Sequence, residues 1–475
     1  MPCTATIPNL TAREQAHHLY EAIPPGLFRV EDENQRIAWR VSPEPFALSP
    51  EQADTIERLG ADLLGFYRAL NNLYNRSVRG TAPGFIAEYL DRGKPEQIVK
   101  LARQNRFKQE LPGVIRPDLI LTADGFVATE LDSIPGGMGF VGAMTEAYCG
   151  LGMESFGGED GITASFAALM RNVTRSERPT VAIVVSDESA DYRNEMAWLA
   201  AALRRGNFAD AWLRRPEEVT FTEDGLFIQH EDGRETRLDA LYRNFELFDL
   251  FNVPKQELML YSARHNRVKM TPPPKAPLEE KLAFALFHHH ALAPLWRSEL
   301  GDERFARLQR LFPKTWVIDP RPLPPQATIA GLEAGGSPVT DFRQLIALPK
   351  SERSYVVKPS GFSALAWGSR GVKVGDDLTR DEWESAIDEA LSSFDRTPWI
   401  LQRFHKGKLV RQRYLDRDRD EIREYEGRVR LCPYYFVAGE DSVRLGGVLA
   451  TVAPADKRLI HGMSDAVMTS SIVRA

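Results

Sequence analysis

The sequence is poor in cysteine: among 475 residues only Cys3, Cys149 and Cys432 carry a thiol, far apart and in no C-x-x-C arrangement. That spacing predicts neither a structural disulfide nor a zinc site. Long apolar runs are missing too, since nothing approaches the roughly 20 residues that cross a bilayer. The opening MPCTATIPNLTAREQ has no basic start followed by an apolar stretch, so the expectation is a cytoplasmic protein with no membrane partner. Charge of one sign is not in excess either. The 60 basic and 66 acidic residues are well mixed and leave a net charge of −6, with no basic stripe for nucleic acid. A Walker A loop, internal repeats and low-complexity tracts are absent. The oligomeric state is not legible.

What is present is an ordinary globular composition, 43% hydrophobic and 27% charged, in a chain long enough for two or three structural units. The triplet His288, His289 and His290 lies in an amphipathic helical pattern. Neighbouring helix positions diverge by about 100°, so the three rings cannot close around one metal. Ser49-Pro50-Glu51-Gln52 is a helix start with a serine cap, and Ala53, Ile56, Leu59, Leu63, Tyr67, Leu70 and Tyr74 continue it at helical spacing.

Residues 114 to 140, VIRPDLILTADGFVATELDSIPGGMGF, carry the strongest chemical signal. Two strand-like runs flank Ala123-Asp124-Gly125, a three-residue hairpin loop. Such a loop sets Thr122 opposite Phe126, and hence Asp118 opposite Glu130 and Arg116 opposite Asp132. Alternation then puts Val114, Arg116, Asp118, Ile120, Phe126, Ala128, Glu130 and Asp132 on one side. Ile115, Leu119, Leu121, Val127 and Leu131 form the buried side. Acids facing each other across a ladder need compensating positive charge. Arg116 supplies one such charge, and a magnesium ion held by hard oxygen ligands could supply the rest. A solvated hairpin face with an arginine among acids accounts for the same spacing.

Beyond the hairpin, Gly137 to Gly142 reads G-x-G-x-x-G, which raises a nicotinamide or flavin enzyme, but Glu130, Asp132 and Pro135 interrupt the apolar strand that such a turn follows. TVAIVV from Thr180, a helical stretch from Glu195 to Leu203 and LDALYRNF look like half of a doubly wound domain, whose strand ends are usual ligand sites. Arg243 there is either a grip for a substrate carboxylate or a surface arginine. In SYVVKPSGFSALAWGSRGVKVG, residues 354 to 375, an apolar strand ends at Lys358 before a loop containing Gly361, Gly368 and Gly371. That arrangement suits nucleotide phosphates, although an ordinary hairpin with a solvated lysine reads the same way. Lys314 follows Pro313, Gln402 ends the strand PWILQRF, and Arg428 and Arg430 share a face of GRVRLCPYYFV.

In their order and spacing these stretches resemble the circularly permuted ATP-grasp ligases, the group of eukaryotic glutathione synthetase and glutathionylspermidine synthetase. The family's R-x-D and E-x-N strands are matched by Arg116, Asp118, Glu130 and Asp132. Its V-x-K-P strand is matched by residues 356 to 359, and its hinge strand by residues 400 to 402. The resemblance implies an α/β (α+β) protein with a circularly permuted ATP-grasp fold. A mostly helical N-terminal segment would cover 1–110, the metal-binding hairpin and following helix 111–175, and a Rossmann-like substrate domain 176–255. A helical connection would cover 256–320, with the lysine and glycine-loop lid and C-terminal sheet in 321–475.

The resemblance also implies an ATP- and Mg²⁺-dependent ligase that joins a small-molecule carboxylate to an amine through an acyl phosphate and releases ADP. In it Asp118, Glu130 and Asp132 are metal ligands, Arg116 is catalytic, and Lys358, Lys314, Gly361, Gly368 and Gln402 surround the nucleotide. Two departures stand out: Asp132 replaces the family's asparagine, and PSGFSALAW lacks the loop carboxylate of glutathione synthetase. The second favours an inactive relative acting as a nucleotide-binding or interaction protein, and a small-molecule kinase that stops at phosphoryl transfer stays open as a separate alternative.

Overall fold

The computed structural model describes residues 10–28, 39–366, 370–460 and 465–474. An eight-stranded sheet runs in the order Arg40–Val41, Val467–Val473, Val443–Pro454, Glu421–Val437, Val114–Thr122 and Gly125–Asp132. Leu409–Asp416 joins Glu421–Val437, and Phe46–Leu48 joins Val467–Val473. Glu421–Val437 pairs antiparallel with both Val443–Pro454 and Val114–Thr122, so the acidic hairpin is completed by strands from the end of the chain.

Helices cover both faces of this sheet. On one lies Pro50–Val78, started as its sequence predicts: Ser49 Oγ accepts from the Gln52 amide and Gln52 Oε1 accepts from the Ser49 amide at 2.9 Å. Its Ile56, Leu63 and Leu70 pack in one core with Leu119 and Leu431. On the other lie Met138–Gly150 and Gly161–Thr174, whose Phe140, Met144 and Phe166 pack with Tyr434 and Leu449. A second sheet is wholly parallel, in the order Lys269–Thr271, Ala240–Asn244, Thr180–Val185, Asp210–Arg214, with the helix Arg193–Arg205 crossing between the last two. A third, antiparallel, runs Thr315–Val317, Trp399–Arg403, Tyr355–Pro359, Lys373–Val374, and packs on the helix Arg380–Ser392. The chain is therefore a mixed α/β protein.

The hairpin corrects one expectation and keeps its consequence. Thr122 pairs with Gly125 rather than Phe126, so the loop is only Ala123-Asp124. A bulge at Thr129 absorbs the missing residue, and Asp118 still faces Glu130 and Arg116 still faces Asp132. Between turn and bulge the faces are exchanged: Phe126 and Ala128 pack with Leu119 and Leu121 in the core, while Val127 sits beside Ile120. Partial burial of the Phe126 ring and full burial of Ala128 against the core accompany the shorter turn.

Cys149 is disulfide-bonded, against the expectation from spacing. Distance along a chain does not measure distance in a fold. Cys432 is free and buried. No helix among the described residues is long and apolar enough to cross a membrane.

Candidate active site

The three sheets meet around a cleft of about 870 Å³. Arg116, Asp118, Glu130 and Asp132 line it from the hairpin, Arg430 from the neighbouring strand, and Tyr192 and Glu195 from the parallel-sheet unit. Arg116 sits between two acids, with Nη2 3.1 Å from both Asp118 Oδ1 and Asp132 Oδ2 and Nη1 donating to the Gly136 carbonyl at 3.3 Å. Arg430 Nη1 donates to the other Asp118 oxygen at 2.8 Å. Burial alone would raise the Asp118 carboxyl, but the two guanidinium groups hold it down at about 2. Burial, with Glu130 and Asp118 beside it, holds the Asp132 carboxyl above the ordinary range against Arg116 and the Ile134 amide.

Lys358 stands behind the hairpin at the end of its strand. Its Nζ donates to the Thr129 carbonyl at 3.1 Å and to Gln402 Oε1 at 3.0 Å. The bulge turns that carbonyl toward the lysine, since Thr129 is the residue without a partner across the ladder. Burial pushes the Lys358 ammonium down to about 8, against the pull of the Glu130 charge. Gln402 spends both ends of its amide here, its Nε2 donating to Thr315 Oγ1 at 3.3 Å. Gly361 lines the cleft and is pressed against the chain, as a Cβ there would lie 2.1 Å from the Glu279 carbonyl. Lys314 is not brought in: it is exposed, with Nζ 5.6 Å from the centre of the Trp316 ring. Gly368 lies outside the described residues.

Several groups at the cleft were not legible as a site. Lys281 Nζ is 2.8 Å from Glu130 Oε1 and donates to the Ala366 carbonyl at 2.7 Å, tying the acidic hairpin to the glycine loop. The sequence signal was Glu279-Glu280-Lys281, a charged triplet placed directly before the helix Leu282–His288, which is apolar from Leu282 to Phe287. Glu246, just past the strand Ala240–Asn244, is pushed up to about 8 by burial and next by the Glu279 charge. Arg243 is neither at the surface nor free for a substrate: it is fully buried, paired with Glu279, and donates to the Phe245 carbonyl at 2.5 Å.

The G-x-G-x-x-G turn has a different use. Glu195 points its carboxylate at the start of the helix Met138–Gly150, 3.5 Å from the Phe140 amide, where a dinucleotide would need its pyrophosphate. Burial pushes Glu195 up to about 7, against those amides. A Cβ on Gly139 would lie 2.4 Å from the Glu195 carbonyl, so this glycine permits contact between two helices.

No protein family and no curated protein matches the chain by sequence. Among solved structures, a glutathione synthetase-like effector (GSS30) from Globodera pallida, in its apo form, superposes with a TM-score of 0.57 at 12% identity. The match covers 99% of this chain and 100% of that one. The chain shares the fold of that effector. A protein provisionally named gamma-glutamylcysteine synthetase, from Methylobacillus flagellatus, matches at a TM-score of 0.39 and 12% identity over 85% of this chain and 87% of its own.

The site's chemistry bears on which groups this fold could hold. The donors facing the cleft from the hairpin are carboxylate oxygens, the type a hard divalent cation takes. Glu130 and Asp132 are about a third exposed and Asp118 is buried, with side-chain exposures of 31%, 30% and 9%. Each is ion-paired within the protein, and among the described residues no three His, Cys, Asp or Glu side chains converge as a ligand cluster. Acids outnumber cations along the cleft, but the buried Nε groups of Arg116 and Arg430 have no hydrogen-bond partner among the described residues, and guanidinium donors of that kind fit an anionic, phosphate-bearing ligand.

Proposed function

We propose that the chain is an ATP- and Mg²⁺-dependent ligase that joins a small-molecule carboxylate to an amine, built on a circularly permuted ATP-grasp fold. The observation that carries the reading is Lys281 bridging Glu130 and the Ala366 carbonyl, which brings acidic hairpin, glycine loop and cations to one cleft. The fold shared with the glutathione synthetase-like effector supports it.

In this reading the first step is attack of a substrate carboxylate oxygen on the γ-phosphorus of ATP. The bond to the bridging oxygen breaks and ADP leaves, giving an acyl phosphate. The amine then attacks the acyl carbon, and phosphate departs as the amide forms. Lys281 and Lys358 offset phosphate charge. The forks of Arg116 and Arg430 stabilise the transferring phosphoryl group and then the tetrahedral adduct. Glu130, Asp132 and Asp118 would hold Mg²⁺, which when bound would supply neutralisation of phosphate charge. Gly361 lets the loop approach the phosphates, and Gln402 fixes Lys358 beside the adenine hinge. An attacking amine must shed a proton, and Glu195 lines the cleft with its carboxyl pushed up to about 7, which suits its acceptance.

A second reading, a nucleotide-binding protein without turnover, is favoured by the ion-paired state of all three hairpin carboxylates. One titration series separates the two. Wild type and Asp132→Ala are titrated with a non-hydrolysable ATP analogue, with and without Mg²⁺, and the wild type is then assayed for ADP release over a panel of acids and amines. Metal-dependent binding lost in the variant, followed by amine-dependent ADP release, supports the ligase. Binding without ADP release selects the second reading, and no binding in the wild type defeats both.

A further inference from the structure

Lys94 and Glu280 form a sealed ion pair, each side chain about 1% exposed, between the N-terminal helical segment and the chain just before the helix Leu282–His288. The other oxygen of Glu280 accepts from the Gly361 amide at 3.0 Å and from Ser360 Oγ. Ser360 Oγ in turn accepts from the Leu282 amide at 3.2 Å. Beside the bond of the Ser360 amide to the Pro398 carbonyl at 2.9 Å, the Gly361 amide and Ser360 hydroxyl at the stem of the glycine loop are thus both held by one carboxylate, which is paired with one lysine remote in sequence.

Lys94 is itself fixed. It follows Gly93, at φ +73°, where a Cβ would lie 2.1 Å from the Arg396 carbonyl. Its Nζ also stands 5.8 Å from the centre of the Phe362 ring, the next loop residue after Gly361. The neighbours of Glu280 face other units: Glu279 pairs with Arg243 of the parallel sheet, and Lys281 joins Glu130 to the Ala366 carbonyl. A buried carboxylate that loses its only cation is strongly destabilised, so removing Lys94 acts on the loop through Glu280.

We propose that Lys94 and Glu280 are positioning residues of the nucleotide site: they hold the stem of the glycine loop, so that the N-terminal segment sets how the loop meets phosphate. The consequence for nucleotide rests on the ligase reading above, whereas the hold on the loop does not. The test compares wild type, Lys94→Met, Glu280→Gln and the double variant by hydrogen exchange of the peptide covering residues 358 to 366 without ligand. Affinity for the ATP analogue with Mg²⁺ is measured in parallel.

Each single variant should exchange that peptide at least about tenfold faster while peptides of the helix Pro50–Val78 keep their protection, and the double variant should be no faster than the faster single one. Analogue affinity should fall by roughly tenfold, the equivalent of one charge-assisted hydrogen bond. Unchanged exchange in folded single variants overturns the proposal. So does a uniform rise in exchange across the whole chain, which would mark a pair that only stabilises the fold. If the wild type does not bind the analogue while the loop peptide still responds, the nucleotide reading fails and the latch stands.

Discussion

Lys358 Nζ donates to the main-chain carbonyl of Thr129 across 3.1 Å, and Thr129 is the extra residue of the bulge in the acidic hairpin. A lysine on the antiparallel sheet and a backbone irregularity on the eight-stranded sheet therefore share one position at the site. Any change in the ammonium charge reaches the hairpin directly.

The Lys358 ammonium is depressed from 10.5 to about 8, first by burial. Between those values the unfolded chain holds a proton that the folded one has lost, so this group makes stability rise with pH over that window. Phosphate binding has the opposite sign, because it needs the protonated form. Analogue affinity should therefore fall above about pH 8 in the wild type, and Lys358→Met should bind weakly at every pH. Titrations at pH 7 and 9 on both proteins check this, and a pH-independent wild-type affinity would remove Lys358 from the site.

Two hairpin acids should separate function from stability. Glu130→Gln removes a partly exposed charge from the buried Lys281, which keeps its bond to the Ala366 carbonyl, so its stability cost should be about 1–2 kcal/mol. Asp118→Asn leaves Arg116 and Arg430 buried without their shared anion and should cost about 3–5 kcal/mol. Both should lose metal-dependent ADP release. Chemical denaturation beside the ADP assay reads the two effects independently.

Glu246 holds its proton up to about pH 8, under burial and the nearby Glu279 charge. Unfolded, it ionises near its usual value of 4.5. Its contribution to stability is thus intact below that value and is lost as pH rises toward 8. Glu246→Gln lacks this loss. Its stability relative to wild type should grow between pH 4.5 and 8 and then level off, by an amount on the order of 1 kcal/mol or more. Melting curves at pH 5 and 8 decide it, and a constant difference would contradict the assignment.

Gly139→Ala places a methyl group 2.4 Å from the Glu195 carbonyl and must part the helices Met138–Gly150 and Arg193–Arg205. A loss of about 1–3 kcal/mol is expected, measured by denaturant unfolding. A neutral result would show that the interhelical contact yields.

The local signals that survived in the structure are those with a short physical range. The capping box at Ser49 needs only residues three apart. The buried-strand runs TVAIVV and LDALYRNF need only their own composition, and both became central strands of the parallel sheet. The hairpin pairing of Asp118 with Glu130 held although the assumed loop was one residue too long, because the bulge at Thr129 restored the register.

By itself the sequence determined the acidic hairpin, the lysine strand and the α/β alternation, since periodicity, turn chemistry and charge are local properties of a chain. Tertiary structure alone decided what surrounds them. It set Arg430 against Asp118, Lys281 against Glu130 and Lys94 against Glu280, placed Glu195 at the glycine turn and left Lys314 at the surface. It also joined Cys149 in a disulfide that spacing had argued against. Charges remote in sequence are brought together by the packing of whole sheets, and neither spacing nor composition carries the distances at which their interaction is decided.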